Sequence, residues 1–184
     1  METRNLDQLS HDIKNIVSSS FSKKSKETKY NDIILNRFIK KSDIIICHKI
    51  KVIQMKIGQI WQDVIGSIDD VINLKRGHIS KLDILSHKYK FVMELKNSHN
   101  TCNSSSRTSI YNNLIEFKKE HNDYEIIFAY INCNTSKNTG KNEIISYKSY
   151  NIRILSGNKL LAYLFGNKSE NVLEILSNSL QDFL

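Results

Sequence analysis

The chain has 184 residues, of which 40% are hydrophobic and 25% are charged, and its formal net charge is +8. A chain of this length can bury a substantial core, and no apolar run approaches the length needed to cross a bilayer. Three scattered cysteines without a CxxC pair argue against a disulfide framework or a zinc site and indicate a reducing compartment. The polar start of the chain shows no signal-peptide pattern, so we expect a cytoplasmic protein.

The positive charge suggests a polyanionic partner. A chain rich in Lys, Asn and Ile and without Pro also fits the drift of an AT-rich host or viral genome, so charge alone leaves both explanations open. The distribution of charge is more informative, because the segment up to Lys56 has a clear excess of Lys over Asp and Glu, whereas the part after Gly157 is nearly balanced. This polarity favours DNA as the partner.

The N-terminal part of the chain is predicted to be helical. Apolar residues at helical spacing predict an amphipathic helix over residues 5–21 and a second helix over residues 30–40. Between them, residues 22–29 form a basic polar stretch that is predicted to be a loop. Two interpretations remain for it: contact with DNA phosphates, or simple exposure to solvent.

A long third helix is predicted to begin at an N-cap formed by Ser42 and Asp43 and to end at Gly66. Isoleucines recur along it at spacings of three and four, so Ile46 and Ile50 are expected to face inward with the later members of the series.

Residues 81–96 are predicted to form two short strands joined by a tight turn centred on residues 88–89. Asp83, Glu94 and Lys96 interrupt otherwise apolar strands, which is costly unless the charges are paired or bind a metal. Glu94 and Lys96 project from one face, and the turn would place Asp83 directly opposite Glu94. Two carboxylates that close repel each other unless a cation lies between them, and hard oxygen ligands suit Mg²⁺ or Mn²⁺.

The remaining elements follow from the same periodicities. A helix and a buried strand after the hairpin predict a βαβ crossover with the second hairpin strand, and a strand pair and two helices complete the chain. The predicted elements are a short strand over 71–74, a helix over 107–121, a strand over 124–131, strands over 144–147 and 151–155, and helices over 156–165 and 168–180.

Residues 97–106 are a run of small polar groups, interpreted as a loop. Asn103 or one of the serines is expected to cap the next helix, and the excess of polar groups beyond a cap fits contacts to phosphates and base edges. Arg76 precedes the hairpin and fits either a phosphate contact or an ordinary turn. The candidate DNA contacts are Asn97, Ser98, Asn100, Asn103, Ser104, Ser105, Arg107 and Arg76.

Asp83 and the run Glu94-Leu95-Lys96 resemble the Asp…Glu-x-Lys signature of the PD-(D/E)XK nuclease superfamily. The Pro that usually precedes the Asp is Leu82 here. Longer segments are similar to type II restriction endonucleases that cut GGNCC-type sites, and the similarity covers about residues 55–166. These segments are residues 57–66, 94–107 and 154–160.

The resemblance implies an α/β fold in which a central mixed β-sheet is flanked by helices, with an N-terminal helical extension. It implies that Mg²⁺, for which Mn²⁺ can substitute, is held by Asp83, Glu94 and a main-chain carbonyl near Leu95. Lys96 would orient or deprotonate the attacking water. In the superfamily the preceding helix sometimes lends an acidic residue, which makes Asp63 and its neighbour Gln59 accessory candidates, although a structural role is favoured for both.

The sequence thus predicts a single nuclease domain over residues 1–184, with a basic helical part (1–54), a catalytic core (55–166) and a C-terminal helix (167–184). The function expected from the resemblance is that of a type II restriction enzyme that cuts double-stranded DNA. Two-fold symmetry of a palindromic target would require a homodimer, and a cognate DNA methyltransferase is a possible partner. The alternatives are a repair or junction-resolving nuclease, a catalytically inert DNA-binding module, a helical scaffold, and a nuclease with His99 as general base.

Overall fold

The computed structural model describes residues 5–22, 40–134, 137–181 and 183. Within these ranges the chain forms five α-helices and six β-strands. The helices are α1 (Leu6–Ser22), α2 (Lys41–Ile65), α3 (Ser104–Glu120), α4 (Gly157–Phe165) and α5 (Ser169–Gln181). The strands are β1 (Ile72–Asn73), β2 (Ile84–Ser86), β3 (Phe91–Ser98), β4 (Glu125–Asn132), β5 (Asn142–Tyr147) and β6 (Tyr150–Ser156). None of the described helices is long and apolar enough to cross a membrane.

The six strands form one mixed sheet in the order β1-β2-β3-β4-β6-β5. The central strands β3, β4 and β6 are parallel, whereas β1, β2 and β5 pair antiparallel with their neighbours. A mixed sheet flanked by helices, with two helices before the first strand, confirms the predicted fold class. The crossover from β3 through α3 to β4 is confirmed as well, because β3 and β4 pair in parallel.

Helices cover both faces of the sheet, which explains why the central strands are apolar almost throughout. On one face, Met93 and Leu95 of β3 pack in a core with residues of α1, α2, α4 and α5. On the other face, Val92 and Phe128 pack against α3, for example against Leu114. The hairpin that carries the three charged residues is therefore held between two cores.

The start of α2 differs from the prediction. Its N-cap is Lys40, which makes no side-chain capping hydrogen bond, and not the pair Ser42 and Asp43. Inside the first turn the Ser42 hydroxyl donates to Asp43 Oδ1 over 3.2 Å, so the two polar side chains satisfy each other instead of the helix end. The predicted end at Gly66 is confirmed.

The two halves of α2 have different surroundings. Ile60 and Val64 are fully buried in the core, and Trp61 packs there with them. In the first half Ile46 and Ile50 are about half exposed (53% and 50%), so the prediction that they face inward is wrong. Ile44 in the same half is buried (7% exposed), so the described residues cover a different side of this half from the one that the isoleucine series marks.

The other predicted boundaries agree with the structure within three residues. The helix after the hairpin begins at Ser104, three residues before the predicted start, because Asn103 is its N-cap. The predictions of a basic loop and a second helix fall on residues 23–39, which lie outside the described residues.

Candidate active site

The hairpin has the register expected from the sequence. Ile84 pairs with Met93, which places Asp83 opposite Glu94, and the turn spans residues 87–90. Asp83 lies one residue before β2, and its main-chain N–H donates to the Met93 carbonyl over 3.1 Å. A slip of one residue would have sent Asp83 to the other face of the sheet.

Three charged side chains meet at this point. The Asp83 carboxylate accepts a hydrogen bond from the Leu95 main-chain N–H at 2.8 Å and lies close enough to the Glu94 carboxyl group for each acid to influence the pKa of the other. Lys96 Nζ donates to Glu94 Oε1 at 2.5 Å. Asp83, Glu94 and Lys96 therefore form one contiguous group, although they come from two different strands.

Burial dominates the electrostatics of this group. The Glu94 side chain is only 8% exposed, and burial, followed by the negative charge of Asp83, raises its pKa to about 7. Burial also raises the pKa of Asp83. For Lys96 burial acts to lower the pKa, but the charge and hydrogen bond of Glu94 outweigh it, so the pKa is raised and the ammonium stays protonated. Burial thus outweighs the attraction of Lys96 at both acids.

A divalent cation fits this group. Two adjacent carboxylates with raised pKa values are the arrangement that a cation between them would relieve. In the described part of the chain no cluster of three or more His, Cys, Asp or Glu residues is placed to hold a metal. A cation here would draw on two carboxylates and on neutral oxygen ligands, which matches the preference of Mg²⁺ for a few carboxylates and several waters.

Helix α2 presents a different residue to this group from those singled out in the sequence. Asp63 accepts hydrogen bonds from Asn73 Nδ2 (2.7 Å) and Lys75 Nζ (2.5 Å), and Gln59 Nε2 also donates to it over 3.4 Å. These contacts are those expected of the structural role favoured for Asp63 and Gln59, and their accessory role at the site stays a prediction. Gln62 lies nearer to the site: burial raises the pKa of Asp83, and Gln62 is the smallest of the influences that oppose this rise.

Gln62 also lines a small cavity between α2 and β3, which reaches Leu95, the residue between Glu94 and Lys96. The cavity has a volume of about 120 Å³, and its lining includes Gly58, Gln59, Gln62, Arg76, Leu95 and Asn97. Arg76, a candidate phosphate contact, lines the same cavity as Gln62. The sequence signal for Gln62 is its spacing of one helical turn from Gly58. In the structure this face of α2 meets β3 in ordinary contact, since a Cβ at Gly58 would lie 3.9 Å from Asn97 Cβ.

The polar run after Lys96 is not a single loop. Asn97 and Ser98 continue β3, and Asn132 Nδ2 donates to the Asn97 main-chain and side-chain oxygens over 3.0 and 3.2 Å. The strand gains this length because it pairs with β4 as far as Ser98.

Asn103 caps α3, as expected for Asn103 or one of the serines. Its side chain accepts from the Ser106 main-chain N–H at 2.8 Å and from the Ser105 hydroxyl at 2.9 Å. The other candidate DNA contacts in this region are exposed. They are Asn100 in a 3₁₀ turn, and Ser104, Ser105 and Arg107 in the first turn of α3.

The mixed sheet carries a partly buried Asp and a buried Glu next to a lysine, an arrangement that suits a metal-dependent nuclease. The family model described as Eco47II restriction endonuclease matches residues 3–184 of the chain. The chain belongs to this family, and it is a type II restriction endonuclease that acts on DNA. No curated protein matches it. The expected enzyme class is confirmed.

Proposed function

We propose that this restriction endonuclease is a Mg²⁺-dependent member of the PD-(D/E)XK superfamily, with its catalytic group on the hairpin of β2 and β3. The observation that carries the proposal is the convergence of Asp83, Glu94 and Lys96 in one buried, hydrogen-bonded group. In this proposal residues 1–184 are a single nuclease domain, in which 55–166 form the catalytic core.

Asp83, Glu94 and the main-chain carbonyl of Leu95 would hold the metal. When bound, Mg²⁺ supplies polarisation of the scissile phosphate and a lower pKa for a bound water, and Mn²⁺ can replace it. The protein contributes the orientation of both carboxylates, since the Leu95 N–H fixes Asp83 and Lys96 fixes Glu94.

Lys96 has two candidate roles, to orient or to deprotonate the attacking water. Its contact with Glu94 and its raised pKa favour a protonated side chain, so we assign it to orienting the water and to offsetting negative charge on the phosphate in the transition state.

The substrate we propose is double-stranded DNA with a site of the GGNCC type, because residues 57–66, 94–107 and 154–160 resemble segments of type II enzymes that cut such sites, and the chain belongs to the Eco47II restriction endonuclease family. Such a site is nearly two-fold symmetric, so cleavage of both strands requires two catalytic groups related by the same symmetry and therefore a homodimer. A DNA methyltransferase that modifies the same site would protect the host DNA in the cytoplasm.

Plasmid cleavage tests the proposal. With Mg²⁺, the wild-type protein should cut a plasmid of known sequence into discrete fragments whose ends map to GGNCC sites, and EDTA should abolish cutting. Asp83→Ala should be inactive, because no neighbour replaces this ligand, whereas Asp63→Ala, which lies on α2 and pairs with Lys75, should still cut at the same sites.

Other outcomes would favour the alternatives. Nicking that depends on branched or damaged DNA instead of sequence would favour a repair or junction-resolving nuclease. A gel shift without cleavage at any Mg²⁺ concentration would favour a DNA-binding module that has lost catalysis. Full activity of Asp83→Ala would contradict the assignment of the catalytic group.

A further inference from the structure

We propose that the Tyr130 hydroxyl donates a hydrogen bond to a backbone phosphate of the cleaved DNA strand, next to the phosphate that is cut, and that Arg107 binds the same phosphate. The inference rests on the proposed catalytic group of Asp83, Glu94 and Lys96. It adds a residue of β4 to the DNA contacts, and it assigns Arg107 to a phosphate instead of a base.

Tyr130 lies on the same face of the sheet as the proposed catalytic group. In the parallel pairing of β3 with β4, Lys96 is the partner of Tyr130 and Glu94 is the partner of Phe128. Paired residues of neighbouring strands project from the same face, and such strands lie about 4.8 Å apart. Tyr130 is therefore the neighbour of Lys96 on the side away from Asp83, one strand further across the sheet.

Packing holds the Tyr130 ring without the use of its hydroxyl. The ring centroid lies 4.7 Å from that of Phe128 at an interplanar angle of 60°, and the residue is 9% exposed in the core beneath α3. Among the described residues, none is hydrogen-bonded to this hydroxyl, and His99 Nδ1 is the only side-chain polar atom that is both fully buried and unpaired. Because the Tyr130 hydroxyl is unpaired but not fully buried, it lies at the protein surface.

The crossover brings Arg107 to this hydroxyl. Helix α3 returns antiparallel to β3 and β4, so its first turns lie near the carboxyl ends of these strands. Tyr111 of α3 contacts Phe128 with 5.6 Å between ring centroids. Arg107 precedes Tyr111 by one helical turn, about 5.4 Å, and Tyr130 follows Phe128 by two strand residues, about 6.6 Å in the same direction. Arg107 therefore lies by Tyr130 as Tyr111 lies by Phe128.

The chemistry of this group suits a phosphate. Burial raises the pKa of Tyr130 to about 12, against the opposing influence of Arg107, so the hydroxyl is a neutral donor at physiological pH. Its cationic neighbours are Lys96 on β3 and Arg107, which is exposed in the first turn of α3. Tyrosine hydroxyls and guanidinium groups are common donors to DNA phosphates. Because Lys96 serves the scissile phosphate in the proposed mechanism, Tyr130 meets the next phosphate along the strand.

Equilibrium binding of a GGNCC duplex in EDTA, where neither strand is cut, tests this contact. Tyr130→Phe keeps the ring and removes only the hydroxyl, so it should bind about 10- to 100-fold more weakly than wild type, the range for a hydrogen bond to a charged group. Its melting temperature should match that of wild type. The matched control is Tyr150→Phe, on the same face at the start of β6, six residues before the partner of Tyr130, and it should bind as wild type.

A duplex with one uncharged methylphosphonate identifies the phosphate. At one of the two positions that flank the mapped cut, this replacement should weaken wild type at least 10-fold more than it weakens Tyr130→Phe, because both changes remove the same hydrogen bond. Arg107→Ala should show the same non-additivity at the same position. Equal losses for wild type and Tyr130→Phe at both flanking positions would overturn the inference.

The outcomes separate this inference from the proposed function. If Tyr130→Phe binds as wild type while wild type cuts the duplex with Mg²⁺, the inference is overturned and the proposed function stands. If Tyr130→Phe binds weakly and Asp83→Ala still cuts, the catalytic group is assigned wrongly while the contact of Tyr130 with DNA stands. A lower melting temperature of Tyr130→Phe would indicate a structural role of the hydroxyl and would also overturn the inference.

Discussion

Replacement of Glu94 by Gln should stabilise the metal-free protein at alkaline pH. Glu94 is buried beside Asp83, and its pKa is raised from 4.5 to about 7. An acid with a raised pKa contributes stability below its unfolded pKa, near 4.5, and loses that contribution as the pH rises through 7. The rise in the pKa of Glu94 corresponds to about 3 kcal/mol of unfolding free energy, and this contribution is lost by pH 8. Gln cannot ionise, so Glu94→Gln avoids this loss.

Thermal denaturation in EDTA measures the effect. For a chain of this length 1 kcal/mol corresponds to about 2–4 °C, so Glu94→Gln should melt roughly 6–12 °C above wild type at pH 8. At pH 4.5, where Glu94 is already protonated in the folded protein, the two should melt within a few degrees. Glu174→Gln, at an exposed position on α5, should match wild type at both pH values. A variant that melts at or below the wild-type temperature at pH 8 would refute the electrostatic account of the site.

Three further predictions concern catalysis, capping and DNA affinity. Lys96→Ala should still bind Mg²⁺ but cut a bound duplex about 10²- to 10⁴-fold more slowly in single turnover. Lys96→Arg should not restore cleavage, because the guanidinium fork needs different space. Cleavage by Lys96→Ala at a near wild-type rate would contradict the role of Lys96. Asn103→Ala should lower the melting temperature of the protein by about 2–4 °C through the loss of a cap worth about 1 kcal/mol, and Asn103→Ser should not. Affinity for a duplex should fall steeply with salt, by roughly one unit of log-log slope per phosphate contact, and salt-independent binding would argue against a DNA surface built from basic residues.

The sequence was sufficient to predict the hairpin of β2 and β3 because its geometry depends on local rules. Strand side chains alternate, and a short turn fixes which residues face each other, so counting from the turn places Asp83 opposite Glu94. The parallel crossover to β4 was predictable for a similar reason, since a helix of the right length separates two apolar strands.

The parts that sequence did not predict depend on orientation and on tertiary contacts. Adjacent residues on a helix point about 100° apart, so apolar spacing did not decide whether Gln59, Gln62 or Asp63 faces the hairpin. The exposure of Ile46 was not predictable either, because periodicity identifies an apolar stripe and not the extent of the surface that covers it. Ser42 and Asp43 are frequent N-cap residues, but they bond to each other inside the helix, so residue preference alone gave the wrong boundary.

The short separation of Asp83 and Glu94 along the chain has a consequence for folding. The two residues are 11 positions apart, whereas the first register pair of β3 and β4, Phe91 with Glu125, is 34 positions apart. Closing the longer loop costs about 1 kcal/mol more chain entropy, so we expect the hairpin to form first, on the microsecond timescale of isolated hairpins. At that stage both carboxylates would remain hydrated. The burial that raises their pKa values would arise only when the crossover and α2 close over the hairpin. The two acids would therefore come together while their pKa values are still those of exposed carboxyl groups.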